Sequence, residues 1–268
     1  MAILLPLPAP ASVRRMARRA RPSLLPALLE LALVAVLFEV YRLGRLLARG
    51  DESAAREHAV SVHDLEGLLH LPSEASLQAL VPDTVLHLAN VYYVSVHFPA
   101  MIVFLLWGYL FRPREQYVWA RNLLIALTGT ALVVHIVFPL APPRMFPGWG
   151  FVDTMSTFGP NAYAGASGDL VNQFAAMPSL HVGWAALIAY VLHRTGPRWL
   201  AAVAAAHVVV TVVVVVVTAN HYWLDGIVAL ALLAVAARIV RPPGPSSAAG
   251  PPAPPPGRRV RSAATPRR

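Results

Sequence analysis

Val208-Val209-Val210-Thr211-Val212-Val213-Val214-Val215-Val216-Val217 is the stretch whose reading decides the fold class. In water such a β-branched run would read as a strand, because its stiff side chains suit a pleated surface. The rest of the chain moves it into lipid. Of 268 residues, 57% are hydrophobic and only 13% charged, against roughly 25% charged in a soluble domain. In hydrocarbon an open strand leaves its backbone unsatisfied, whereas a helix bonds within itself. The valine run therefore predicts a membrane helix.

Outward from it, apolar runs cover 24–43, 85–111, 118–139, 180–195, 199–219 and 222–240. A helix needs about 20 such residues to cross a core of roughly 30 Å. The expectation is an all-α, polytopic membrane protein: a six-helix bundle over 24–241. A basic N-terminus, 1–23, precedes it. A tail rich in Pro and Arg, 242–268, follows; it has too few apolar residues for a core and is expected to be disordered. No internal repeat is visible, which weakens the case for a repeat-built transporter. Residues 51–84 alternate Leu65, Leu68, Leu69 and Leu71 with charges, as expected of a helix lying in the membrane interface.

The net charge is +9, and every basic residue is Arg. These arginines cluster in the tails and in short loops, the pattern of the positive-inside rule rather than of a nucleic-acid-binding stripe. With the termini inside, 17 of the 22 basic residues fall on the inner side and Arg42, Arg45, Arg49, Arg56 and Arg144 on the outer. A multi-pass cell-membrane protein with both termini cytoplasmic follows, its first span an uncleaved anchor. The loop 140–179 and Asn220-His221 then share the outer face. The absence of cysteine excludes disulfides, thiolate metal ligands and cysteine nucleophiles.

Two short patterns on that face carry chemistry: Pro178-Ser179-Leu180-His181 and His221-Tyr222-Trp223-Leu224-Asp225. Ser179 is a good N-cap, so His181 is expected in a first helical turn, where free N–H groups favour an anion. Asn220 is expected to cap a second helix before His221 in the same way. Asp225, four residues on, can hold His221 Nδ1–H and leave Nε2 as a nucleophile toward phosphorus. His181 is then the general acid for the departing oxygen. An acid inside a span costs about 2.5–3.5 kcal/mol, so an unpartnered Asp225 is not expected. Arg144, in Pro142-Pro143-Arg144, suits phosphate oxygens, as does the Ser179 cap. Asn90, Tyr93 and His97 share one helical face and, with His135, are expected to line the substrate space. Asp153 and Asp169 belong to the outer loop, either as polyol ligands or as solvated groups, and Gly148, Gly150, Gly159, Gly165 and Gly168 suit a supple lid. Glu30 and Glu39 in the first span have no assigned role. A metal held by His181, His221 and Asp225 lacks an evident fourth ligand, and no cofactor is expected.

These residues resemble the type-2 phosphatidic acid phosphatase superfamily over about 85–240. Pro178-Ser179-Leu180-His181 and His221-x-x-x-Asp225 look like its second and third signatures. Ala141-Pro142-Pro143-Arg144 and Ala219-Asn220-His221-Tyr222-Trp223-Leu224-Asp225 resemble its inositol phosphorylceramide synthase-like branch. The resemblance implies a six-helix bundle with a phosphohistidine mechanism at the outer face: His221 nucleophile, Asp225 orienter, His181 acid. The chain departs from the family in two places. Arg114 and Arg121 have the spacing of the first signature, but Asn122 follows and the predicted topology puts them on the inner face. Ser-Arg of the third signature is replaced by Val214 and Val215, leaving Arg144 as the main phosphate-binding cation. The implied activity is cleavage of a lipid phosphoester or diphosphate, with water or a polyol such as inositol as acceptor. The alternative of another class is a six-span transporter or lipid-binding scaffold that uses the histidines for protons or substrate.

Overall fold

The computed structural model describes residues 24–47, 51–161 and 172–243. The basic N-terminus, Asp169 and almost all of the Pro/Arg-rich tail lie outside them. The described residues form ten α-helices: α1 Leu24–Leu47, α2 Glu52–Leu68, α3 Glu74–Ala79, α4 Asp83–Ser95, α5 His97–Phe111, α6 Arg114–Val137, α7 Thr154–Phe158, α8 Leu180–Thr195, α9 Arg198–Val217 and α10 Trp223–Ile239. Among them there is no strand, and the valine run is helical throughout α9.

Three helical stretches are long and apolar enough to cross a membrane: Asp83–Phe111, Arg114–Val137 and Arg198–Val217. α8 and α10 are shorter, 16 and 17 residues, or roughly 24–26 Å at 1.5 Å per residue. The stretch expected as one helix over 85–111 is broken at Val96. Pro99 lacks the N–H that would bond Ser95, so α4 ends there and α5 restarts at His97.

α8 is the axis of the bundle. It packs against α5, α6, α9 and α10, and residues 182–188 are buried without interruption, as expected of a helix apolar on every face. Gly183 permits the closest approach. A Cβ there would meet Leu127 Cδ2 at 3.3 Å and Ala229 Cβ at 3.6 Å. The outer helices instead turn apolar side chains outward, among them Ile102, Val103, Leu106, Val209 and Val213. Exposed surface of this kind suits hydrocarbon as its solvent.

Glu30, without a role in the sequence reading, ties α1 to α6. Its carboxylate accepts from Arg121 at 2.6 Å, Arg114 at 2.6 Å and Tyr117 at 2.9 Å. This consumes the two arginines that imitate the first signature. Arg121 lies 14 residues before His135 on α6, about 21 Å along the axis. Glu39 pairs with Arg42 at 2.7 Å on an exposed face.

α2 is more than an interfacial helix. It shows Leu65 and Leu68 to the outside but buries Ala55, Ala59, Val62 and Glu66 against the protein. Ala55 O accepts from Ala141 N at 3.1 Å, and His58 stacks on Phe138 with its Nδ1 2.8 Å from Pro139 O. α2 thus walls the loop that carries Arg144.

Candidate active site

The end of α6, the start of α8, the end of α9 and the start of α10 meet at one end of the bundle. Between them lies a cavity of ≈ 80 Å³, lined among others by Tyr93, His97, His135, Arg144, His181 and His221.

His181 occupies the first turn of α8, as its spacing predicts. Ser179 is the N-cap and accepts from Val182 N at 3.4 Å. The residue is fully buried and is not among those lining the cavity, so Ser179 shapes the site from behind it. Ser179 N also donates to Asp225 O at 3.0 Å. That bond locks the start of α8 to the first turn of α10.

His221 sits differently from expectation. α10 begins at Trp223 with Tyr222 as N-cap, so His221 precedes the helix and Asn220 does not cap it. The residue is delivered by the end of α9. Ala219 N bonds Val216 O at 2.9 Å and Asn220 N bonds Val215 O at 3.1 Å, a Schellman closure with Ala219 at φ 53° in the left-handed position usually given to glycine. The αL alanine costs about 1–2 kcal/mol. It is held there because its carbonyl accepts from Arg144 N at 2.9 Å.

The His221 ring is held from behind. Nδ1 lies 2.8 Å from Ala176 O and 3.1 Å from Asp225 Oδ2. Both are acceptors, so Nδ1 carries the proton and Nε2 keeps its lone pair for the cavity. Ala176 is fixed by the pairing of the loop's two limbs: Leu140 N bonds Phe174 O at 2.7 Å and Ala176 N bonds Leu140 O at 3.2 Å. Asp225 is wholly buried. Oδ2 also accepts from Tyr222 N at 2.9 Å, while buried Oδ1 has no hydrogen-bond partner among the described residues.

His181 and His221 face each other with ring centroids 5.9 Å apart. His181 is sandwiched by Tyr93 at 4.1 Å and His97 at 4.2 Å, and His97 stacks on Trp184 at 5.0 Å. His135 Nε2 lies 3.2 Å from Pro178 O, steadying the entry to α8. Asn90, expected beside them, points elsewhere. Its side chain donates to Thr154 O at 2.8 Å and Gly159 O at 3.2 Å, and so anchors α7. Asp153 caps α7 through Met155 N and Ser156 N.

Arg144 is buried and reaches the cavity from the loop, donating from Nη1 to Asn220 Oδ1 at 3.0 Å. The positions of the missing Ser-Arg pair are the buried Val214 and Val215, whose carbonyls close α9. Asp225 stands on the Nδ1 side of His221, away from the cavity. Among the described residues no three metal-binding side chains gather around one point.

The start of α10 overturns one further expectation, that its free N–H groups would face an anion. Leu224 N donates to Glu66 at 2.8 Å and Trp223 N to Glu74 at 3.2 Å. The helix end is thus already occupied by two protein carboxylates, from α2 and α3.

Apolar helices thus bring two histidines, an arginine and a buried Asp together at one end of the bundle. The PAP2 superfamily model matches residues 60–239, and the chain belongs to that superfamily of phosphatases and phosphotransferases. No curated protein and no solved structure gives a significant match.

Proposed function

We propose that this protein is an integral membrane lipid phosphatase or phosphotransferase working through a phosphohistidine on His221. The observation that carries this reading is the clamp on His221 Nδ1, by Ala176 O and Asp225, opposite His181 across a shared cavity. In the first step Nε2 attacks phosphorus. The P–N bond forms as the P–O bond to the lipid breaks, and His181 gives its proton to the departing oxygen. Asp225 balances the positive charge on the phosphorylated ring. In the second step a hydroxyl attacks phosphorus, its proton returns to His181, and the P–N bond breaks. Arg144 binds the non-bridging oxygens, a task its planar fork suits. The mechanism needs no metal.

The lipid nature of the substrate is supported by a second, apolar groove of ≈ 280 Å³ between α1, α5 and α6. Phe98 and Trp184 line both this groove and the polar cavity. A phosphate in the cavity would therefore have a hydrocarbon path beside it. The reading includes six spans, with α1, α4–α5, α6, α8, α9 and α10 crossing and α2 and α3 lying at the outer surface. It places the site on the outer face, both termini in the cytoplasm of a cell-membrane protein, and the chain in the inositol phosphorylceramide synthase-like branch. The replacement of two phosphate-binding positions by Val214 and Val215 favours transfer to a polyol over plain hydrolysis.

The test is phosphate release and headgroup transfer by purified protein in detergent with EDTA, over a panel of lipid phosphates, with and without inositol. Activity that survives EDTA and vanishes in His221→Ala supports the phosphohistidine enzyme. Dependence on inositol selects transferase. Equal activity in the two proteins rejects His221 as nucleophile.

A further inference from the structure

Glu66 of α2 and Glu74 of α3 are 4% and 3% exposed. Their carboxyl groups face each other within hydrogen-bonding reach. Oε1 of Glu66 accepts from Leu224 N, and Oε1 of Glu74 accepts from Trp223 N. Pro72 O, between the two helices, accepts from Trp223 Nε1 at 2.8 Å. Oε2 of Glu66 is buried and receives no N–H or O–H from the described residues. Two buried carboxylates in contact cannot both be ionised without a cation between them, and the described residues place none there. A proton on Oε2 resolves both problems. It removes one charge and turns the orphan acceptor into a donor toward Glu74.

We propose that Glu66 and Glu74 share one proton and, as that pair, act as positioning residues that clamp the first turn of α10 and so hold His221 and Asp225 in place. The clamp grips residues 223 and 224, directly after His221-Tyr222 and directly before Asp225. It acts through backbone N–H groups, so it sets the direction in which Asp225 reaches back to the imidazole. The inference rests on the proposed function only where activity is the readout.

The titratable groups facing Glu66 are Glu74 on α3, Asp225 on α10 and the phenol of Tyr222. Burial, then the neighbouring Glu74, push the Glu66 carboxyl up to about 9. Below that pH Glu66 holds its proton. Above it the ionised Glu66 faces the carboxyls of Glu74 and Asp225 at one helix start, and the clamp loosens.

The experiment uses the full chain in detergent, as wild type, Glu66→Gln, Glu66→Ala and Glu74→Gln. Infrared spectroscopy at pH 7 reads the proton without any substrate. A protonated-carboxyl band present in wild type, titrating near pH 9 and missing from Glu66→Gln, is expected; its absence from wild type overturns the shared proton. Turnover of phosphatidate in mixed micelles reads the positioning. Glu66→Gln, which mimics the protonated acid, is expected to keep activity and extend it above pH 9. Glu66→Ala is expected to lose about tenfold to a hundredfold in kcat. If Glu66→Ala matches wild type at every pH, the positioning role is overturned. A wild type inert toward every lipid phosphate counts against the proposed function, while the infrared band still decides the acid pair.

Discussion

Asp225 Oδ2 lies 3.1 Å from His221 Nδ1, yet only Asp225 belongs to the helix. The carboxylate reaches backwards over the helix start, taking Tyr222 N at 2.9 Å on the way. One oxygen thus caps the helix and orients the imidazole. Asp225→Asn keeps the shape but can present an NH₂ to Nδ1, which favours the wrong tautomer. Activity is expected to fall by about 10²–10⁴-fold, with circular dichroism unchanged. A loss below about tenfold would place Asp225 outside the mechanism.

Arg144 and Asn220 form a second pair. Arg144→Ala is expected to reduce kcat/KM by about 10²-fold, and Arg144→Lys to restore little, since an ammonium lacks the planar fork. Asn220→Ala removes the acceptor that aims Nη1 and is expected to fall between wild type and Arg144→Ala. Steady-state kinetics on one substrate orders the three.

Ala219 makes a prediction about backbone alone. Ala219→Gly relieves the left-handed penalty and is expected to be neutral or to stabilise by up to about 1 kcal/mol. Ala219→Val puts a β-branched residue at φ 53°, where none is comfortable. It is expected to lower the Tm and to misplace His221, so activity falls further than stability. Thermal melts beside turnover measurements separate the two.

Glu30 gives the opposite pattern. Glu30→Gln leaves Arg121 without its anion at the far end of α6 from the cavity. It is expected to destabilise by about 1–3 kcal/mol, discounted for the exposure of Arg114. The kcat of the folded fraction should not change. A matched loss of kcat would show that α1 bears on the site.

Local relations were legible from the chain: the Ser179 cap and the helical reading of the valine run, and the pairing of His221 with Asp225, although His221 proved to lie before the helix and not on it. Each depends on local backbone geometry or on the solvent that composition implies. Pro99 marks the interruption at Val96 in the chain itself, since it has no N–H for Ser95 O. Asn90, on the same predicted face as His97, was drawn away because Thr154 and Gly159 offered it partners that no spacing reveals.

By itself, then, the sequence determined the helical class of the fold, from composition and periodicity, and its short signatures carried the resemblance to the family that the match over residues 60–239 bears out. Only the tertiary structure decided how His221 is held. Its Nδ1 acceptor is a backbone carbonyl at Ala176, and the N–H groups after it are taken by Glu66 and Glu74, 158 and 149 residues distant in the chain from the donors they serve. A carbonyl has no residue type, and a contact at that separation is set by how helices pack, so neither leaves a pattern in the chain.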